Sequence, residues 1–319
     1  MEIRQINEGK KRWLSLLLLG DEQEDMVDRY LERGEMFLLT DGEAQAVSVV
    51  TQEEDGTFEL KNLAVASAWQ RKGYGFAMVK FLVERYRFLG RTLLVGTGDS
   101  PLTLPFYEKC GFCVSHRVPD FFLRNYDHPI YEAGRQLTDL IYLRRELFVL
   151  ETERLRLRCL CSTDREALIP VLGDPEVMYA WGHGFSMEEI DRWIRQNQSR
   201  YMEYGYGYWA AIEKESGRMV GQMGLLPEVV DGKLYLGLGW ILCKDAWGKG
   251  YATEGGKACM ELGFDRWKAP EVIAEIRPEN VASCQVAERL GMKAVGQFVK
   301  VYQGQEMPHL IYKKTQEGE

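Results

Sequence analysis

Gln70-Arg71-Lys72-Gly73-Tyr74-Gly75 and Trp247-Gly248-Lys249-Gly250-Tyr251-Ala252 carry the same punctuation, with Gly73 and Gly250 standing 177 positions apart. Each stretch follows an apolar, strand-like run: Leu60-Lys61-Asn62-Leu63-Ala64-Val65 in one case, Leu236-Gly237-Leu238-Gly239-Trp240-Ile241-Leu242 in the other. Each opens a helix-like segment, so one supersecondary unit is used twice. Strand, glycine turn, helix is a phosphate-binding arrangement. Glycine lets the backbone curl round an anion, and the N–H groups of the helix start, aided by its dipole, meet the oxygens. Lys72 and Lys249 add positive charge beside the same place. A glycine pair can also do no more than turn a strand into a helix; recurrence with the same lysine and the same flanks favours the functional reading.

The pattern Gln/Arg-x-x-Gly-x-Gly/Ala after a strand resembles the acetyl-CoA pyrophosphate loop of the GNAT superfamily of N-acetyltransferases, and Gln70 to Gly75 match it at every fixed position. The second copy departs from it at Trp247. Trp247 to Glu254 nevertheless resembles the loop of the RimJ/RimL type, which is associated with acetylating protein N-termini. Leu150 to Arg158 and Glu279-Asn280-Val281-Ala282-Ser283 are similar to the same type. The resemblance implies an α/β fold with a mixed α+β sheet, as two tandem GNAT-like acyl-CoA N-acyltransferase domains. It also implies acetyl-CoA as the acetyl donor. The donor would be held by Gln70, Arg71, Lys72, Gly73, Tyr74 and Gly75 with the strand edge at Asn62, Leu63 and Val65, and in the second copy by Trp247, Gly248, Lys249, Gly250, Tyr251, Ala252 and Asn280.

A length of 319 residues exceeds the usual single domain and divides into two units of about 150 residues. The boundary is expected between Leu147 and Glu151, giving domains 1–148 and 149–319. No Pro/Gly/Ser-rich linker marks it, so packed domains sharing an acceptor cleft are expected. The chain is 45% apolar and 28% charged, with no apolar run long enough to cross a bilayer. Trp13 to Leu19 follows Lys10-Lys11-Arg12 but runs into Asp21-Glu22-Gln23-Glu24-Asp25 without a small-residue cleavage site, so it reads as a first helix and the chain as cytoplasmic. Net charge is −8, divided evenly between the halves, and neither half offers a basic surface for nucleic acid. An acidic balance suits a cationic amine acceptor. Seven cysteines without framework spacing suit a reducing compartment. Cys110-x-x-Cys113 is the one pair with metal-like spacing, and no metal is expected, because the resemblance puts Cys110 at the end of a helix and Cys113 at the start of a strand, where core packing explains them.

Transfer of an acetyl group from a thioester to an amine needs two proton movements: the ammonium must lose a proton before it can attack, and the departing thiolate must gain one. Pro105 to Phe112 resembles the superfamily's Phe-Tyr-x-x-x-Gly-Phe signature, which makes Tyr107 the candidate acid; Phe106 would pack the helix on the sheet. Glu59 opens the strand that runs into the loop, where many family members carry the base, though a strand glutamate can also be a solvated face. In the second half Ser283 is implied where the tyrosine stands in the first, and is also a common first-turn helix residue. Gly237 stands where the subgroup often has glutamate. His116, His128, Glu132 and Asp139 could line an acceptor pocket or belong to turns and surface strands. The acceptor remains open between a small-molecule amine and a peptide N-terminus, oligomeric state is unknown, and an acyl-CoA-binding sensor with one or both sites silent is the alternative.

Alternation and turn residues predict a hairpin over Met36 to Val50 around Asp41-Gly42, a strand from Phe58, a helix placing Phe76, Val79, Val83 and Tyr86 on one face, and a buried strand over Thr92 to Val95. The second half predicts helices over Thr163 to Leu172 and Met187 to Tyr201, and a hairpin through Ser216-Gly217. Strands follow over Leu234 to Leu242 and Val272 to Ile276, then a helix from Asn280.

Overall fold

The computed structural model describes residues 1–230, 232–302 and 304–316. The chain forms two compact units, Met1–Leu147 and Phe148–Glu319. In the first, strands β1 (Glu2–Ile6), β2 (Glu35–Asp41), β3 (Glu43–Gln52), β4 (Thr57–Val65), β5 (Thr92–Gly98), β6 (Cys113–Val118) and β9 (Leu140–Glu146) make one seven-stranded sheet ordered β1-β2-β3-β4-β5-β9-β6. A separate small ribbon pairs β7 (Tyr131–Glu132) with β8 (Arg135–Gln136). All neighbours in the large sheet are antiparallel except β4 and β5. The helices are α1 (Leu14–Leu17), α2 (Glu24–Leu31), α3 (Tyr74–Tyr86), α4 (Thr103–Lys109) and α5 (Phe121–Asn125).

Both faces of this sheet are covered, which the alternation of its strands requires. Phe37, Phe58, Leu60, Leu93 and Val95 pack with Met78, Val79, Leu82 and Tyr86 of α3. On the opposite face Met36, Leu38, Val47 and Val49 meet Leu17 of α1 and Val27 and Leu31 of α2. Each such fully buried aliphatic side chain contributes on the order of 1.5–3 kcal/mol. The buried stripe of α3 differs from expectation: Phe76 is exposed and Val83 half-buried, while Met78 and Leu82 are buried. Trp13 to Leu19 is not a full helix, since four residues of 3-10 turn lead into four of α-helix.

The second unit repeats the plan with β10 (Leu150–Glu151), β11 (Leu155–Cys159), β12 (Tyr208–Glu213), β13 (Met219–Val230), β14 (Lys233–Leu242), β15 (Glu271–Ile276), β16 (Lys293–Tyr302) and β17 (Gln305–Thr315), ordered β10-β11-β12-β13-β14-β15-β17-β16. Its helices are α6 (Met187–Tyr204), α7 (Tyr251–Trp267) and α8 (Val281–Arg289), and β14 with β15 is its parallel pair. Helix α6 is bounded as local chemistry dictates: Ser186 and Glu189 form a capping box, and Gly205 takes the left-handed turn at the C-terminus.

Two segments depart from the sequence reading. Leu150 to Arg158 is a tight hairpin, not one strand, because the chain turns at Thr152-Glu153-Arg154 and pairs Leu150 with Leu157. Thr163 to Leu172 is not one helix either. It is a 3-10 turn at Ser162–Asp164 followed by a π-turn at Ile169–Gly173, and Pro170, with no N–H to donate, stands where a continuous helix would need one.

Candidate active site

Strands β4 and β5 pair in parallel from Thr57 and Thr92 as far as Leu60 and Val95, and no pairing is made beyond. The split coincides with a bulge: β3 passes from Val49↔Asn62 to Val50↔Leu60, leaving Lys61 as the extra residue. Downstream of it, Leu63 and Val65 pack on the core that contains α3, while Asn62 turns to the other face, donating from Nδ2 to the Leu17 carbonyl at 3.0 Å and to the Tyr30 hydroxyl at 3.0 Å. The second unit splits likewise after Leu236↔Val272 and Gly237↔Ile273, without a bulge. A split parallel pair exposes backbone N–H and C=O groups on two facing edges, to which an extended amide-bearing chain can hydrogen-bond.

Each split leads into a glycine loop, and the two loops share their backbone. Arg71 and Gly73 take left-handed φ of 61° and 90°, and Gly248 and Gly250 take 72° and 83° at the corresponding positions. Arg71 therefore holds a conformation costly for a side-chain-bearing residue, of order 1–3 kcal/mol, of the kind that concentrates at functional turns. Trp247 replaces Gln70 in function as well as place: Gln70 Nε2 donates to the Val65 carbonyl at 3.1 Å and Trp247 Nε1 to the Leu242 carbonyl at 2.9 Å. Either donor ties the loop to the last residue of its strand. Lys72 Nζ lies 4.7 Å from the centre of the Trp69 ring. Arg154, on the β10–β11 turn, donates from Nη1 to the Lys249 carbonyl at 2.9 Å and pairs with Glu254. Sequence reading had no signal for that clamp beyond a basic residue in a strand-like run.

These loops fit an anion. Helices α3 and α7 start on Gly73 and Gly250 with no side chain capping their first N–H groups, whereas α6 and α8 are capped by Ser186 and Asn280. Bare N–H groups at a helix start call for an external acceptor. Beside Gly73 and Gly248 there is open space, since a Cβ at either would meet nothing within 4 Å, whereas one at Gly75 would press on Phe106 at 3.3 Å.

Tyr107, on α4, is buried in the α3-side core, its ring edge-on to Phe106 and Phe112 at centroid distances of 5.0 and 5.7 Å. Its hydroxyl has no hydrogen-bond partner among the described residues. Burial above all, then the neighbouring Cys110 and Glu132, raises its pKa above the ordinary 10.0, so the group stays a proton donor. Glu59 lies between Phe58 and Leu60 and so faces the other side of the sheet. It is buried, takes Lys61 Nζ at 2.6 Å and accepts from the Tyr142 hydroxyl at 3.2 Å. His116 stacks on Tyr142 with centroids 4.7 Å apart. The two candidates thus sit on opposite faces, next to the split that opens at Leu60. Glu132 accepts from Thr103 at 3.3 Å, Asp139 pairs with Arg117 at 2.7 Å, and His128 with Asp127 at 2.5 Å. Cys110 is buried at the end of α4 and Cys113 exposed at the start of β6.

In the second unit Asn280 caps α8, its Oδ1 accepting from Ser283 N–H at 3.1 Å. The Ser283 hydroxyl accepts from Trp240 Nε1 at 3.2 Å. Helix-end hydrogen bonds fix the correspondence with the first unit: Phe112 N–H donates to the Tyr107 carbonyl, and Met292 N–H to the Ala287 carbonyl. Ala287 therefore occupies Tyr107's position, and Ser283 lies one helical turn earlier, a correction to the implied equivalence. Gly237 faces away from α7, since Leu236 packs against Gly263 and Trp240 near Gly256. It takes the place that Glu59 holds in the first unit; the extra residue Lys61 accounts for the one-residue difference in spacing to the loop.

Two mixed sheets, each with a split parallel pair running into an uncapped glycine loop, give each unit the geometry to hold an extended, phosphate-bearing ligand. Family comparison gives the class a name. Residues 32–114 and 154–293 each match the acetyltransferase (GNAT) domain. An uncharacterized N-acetyltransferase of Bacillus subtilis strain 168, YvbK, is 42% identical over 135 residues, which is 41% of this chain and 87% of that protein. A Bacillus subtilis acetyltransferase solved in complex with CoA is 38% identical, covering 46% of this chain and 98% of its own, with a TM-score of 0.43. A GNAT family acetyltransferase from Elizabethkingia anophelis with acetyl-CoA bound is 34% identical over 46% and 97% of the two chains, with a TM-score of 0.44. The chain belongs to the GNAT acetyltransferase family and carries its domain twice. It is an N-acetyltransferase, with acetyl-CoA as the acetyl donor. Among the described residues no helix is long and apolar enough to cross a membrane.

Proposed function

We propose that this protein transfers an acetyl group directly to a primary amine, a small amine or a peptide N-terminus, with the first domain as principal catalyst. The observation that carries the reading is the uncommitted, proton-donating hydroxyl of Tyr107 on the helix that follows β5. Gln70, Arg71, Lys72, Gly73, Tyr74 and Gly75 hold the phosphates, and the edge at Leu63 and Val65 takes the amide-bearing arm. When bound, the donor supplies an acetyl thioester. Tyr107 gives a proton to the departing sulfur, and Glu59, directly or through water, takes one from the acceptor ammonium. In the second domain Trp247, Gly248, Lys249, Gly250, Tyr251, Ala252 and Asn280 hold a second donor and Ser283 serves as acid.

Ala287 in the tyrosine's position favours a second reading for that domain alone: a site that binds acyl-CoA without turnover and acts as a sensor. Release of CoA thiol from acetyl-CoA, measured across amines and peptides with wild type, Tyr107→Phe and Ser283→Ala, separates the two. Loss with Tyr107→Phe supports first-domain catalysis. Loss with Ser283→Ala alone moves catalysis to the second domain, and no release with any acceptor, despite acetyl-CoA binding, overturns the enzymatic assignment of both sites.

A further inference from the structure

Gly237 leaves the second domain without a carboxylate on β14, yet the space above it is filled. A Cβ on Gly237 would lie 2.5 Å from Cγ of Glu228, which reaches over from the neighbouring strand β13. Two residues along β14, a Cβ on Gly239 would lie 2.1 Å from the hydroxyl of Tyr208 on β12. The floor of this face is thus two glycines, and Glu228 and Tyr208 occupy the volume their side chains would have taken. Across the split, on β15, stands Glu275, which shares the face of Ile273 and is 6% exposed at its side chain. Lys300 Nζ bridges the carboxylates, 3.1 Å from Glu228 and in contact with Glu275. Its ammonium therefore spans from β13 to β15 above Gly237, the last residue of β14 to pair with β15. The second oxygen of Glu275, Oε1, is buried with no hydrogen-bond partner among the described residues. A buried acceptor left unpaired is costly, so this oxygen is ready to take a further donor.

We propose that Glu228 is the general base of the second domain, supplying from β13 the carboxylate that Gly237 cannot, and that an alkylammonium acceptor docks at Glu228 and Glu275 by displacing the Lys300 ammonium that bridges them. The inference rests on acetyl transfer by the second domain. The geometry already shows that the site accepts an ammonium between its carboxylates, because the Lys300 side chain puts one there. Burial first and the charge of Glu228 second raise the pKa of Glu275, and the Lys300 ammonium pulls it back, so an acceptor ammonium that takes the place of Lys300 keeps the two carboxylates bridged. Tyr208, buried, closes the cluster on the β12 side, and Phe298, whose ring centre lies 6.0 Å from Lys300 Nζ, borders it on β16. In the reaction Glu228 takes one proton from the ammonium, and the freed nitrogen lone pair forms the N–C bond to the acetyl carbon. The C–S bond breaks with its electron pair on sulfur, Ser283 gives its hydroxyl proton to that thiolate and regains one from the amide nitrogen as it forms, and CoA leaves as the thiol. Glu228 then returns its proton to water.

The test uses the full chain with Gly73→Asp, which closes the first loop to acetyl-CoA, so that turnover reports the second domain, and compares an alkylamine with methoxyamine, which is neutral at neutral pH and needs no base. Glu228→Gln is expected to lower kcat/KM for the alkylamine about 100-fold or more and for methoxyamine by about fivefold or less. Equal losses for both amines would assign Glu228 a structural role and overturn the proposal. So would a loss smaller than about threefold for the alkylamine, with transfer by the second domain left standing. Absence of any turnover in the Gly73→Asp chain would overturn the proposal together with second-domain transfer. Should Glu228→Gln fold poorly, the pair Glu228→Ala with Gly237→Glu returns the carboxylate to β14 without the clash. It is expected to recover about tenfold in alkylamine turnover over Glu228→Ala alone; no recovery counts against the assignment.

Discussion

Removing one oxygen atom from Tyr107 tests the proposed chemistry at its narrowest point. The ring of Tyr107→Phe keeps its edge contacts with Phe106 and Phe112, since those depend on the ring alone. The hydroxyl has no partner among the described residues to leave unpaired, so folding stability should change by no more than about 0.5 kcal/mol. Catalysis should change far more. A positioned acid contributes about 10²–10⁴-fold, and a loss of about 10²–10³ corresponds to about 3–4 kcal/mol of barrier. Burial holds the tyrosine pKa above 10.0, so wild type should keep its donor protonated throughout the neutral and mildly alkaline range, with no fall in kcat there from this group. The measurement is CoA thiol release at saturating acetyl-CoA and amine, made in a Gly250→Asp chain so that the second site does not contribute. Thermal melts confirm the fold. A kcat within about threefold of the Gly250→Asp parent, in a folded variant that still binds acetyl-CoA, would refute Tyr107 as the acid.

The two loops make a stoichiometric prediction: calorimetry should count two acetyl-CoA sites in wild type and one in either Gly73→Asp or Gly250→Asp. Aspartate enters the left-handed backbone at φ 90° and 83° at some cost, though less than most residues, and sets a negative charge against phosphate; two sites in either variant would refute the cradle. Glu59→Gln keeps the acceptor for Tyr142 and removes the charge facing Lys61. It should cut first-domain kcat/KM for alkylamines by about 10² and regain part of it as pH rises and free amine accumulates; a loss unchanged with pH would point to a structural role. Asp164 is buried and takes two 2.7 Å bonds from Arg158. Burial pulls its pKa up, but the Arg158 guanidinium and the Cys161 N–H outweigh that and leave it below the ordinary 3.8. Its contribution to stability is therefore full above that value and lost as pH falls through the folded-state pKa. Asp164→Ala should cost about 3–5 kcal/mol, because the half-buried Arg158 loses its carboxylate and keeps only neutral acceptors such as the Cys159 carbonyl, and should flatten the acid limb of stability against pH; a melting temperature unchanged at neutral pH would sink the argument.

Local pattern carried the repeated loops, the family and the order of most strands. Left-handed turns select glycine wherever they occur, and strand alternation writes burial into neighbouring letters. The same local rules placed Tyr107 on its helix and Asn280 at the start of α8. Where a reading failed, the deciding force was not local. Pro170 divided an apolar run that counted as helix, and the hairpin at Thr152 to Arg154 depends on which strand lies opposite. The bulge at Lys61 altered the count that relates Glu59 to Gly237, and helix-end register put Ala287 where counting by motif suggested Ser283. Glu228 is the extreme case. In sequence it stands nine positions from Gly237 with nothing to connect them, and only the pairing of β13 with β14 brings its side chain over that glycine. Sequence alone thus determined what each strand and turn could be and which carrier the loops suit. The tertiary structure decided which side chains share a face at the split, because cross-strand register, set by the packing of whole sheets, is invisible to any pattern along one strand.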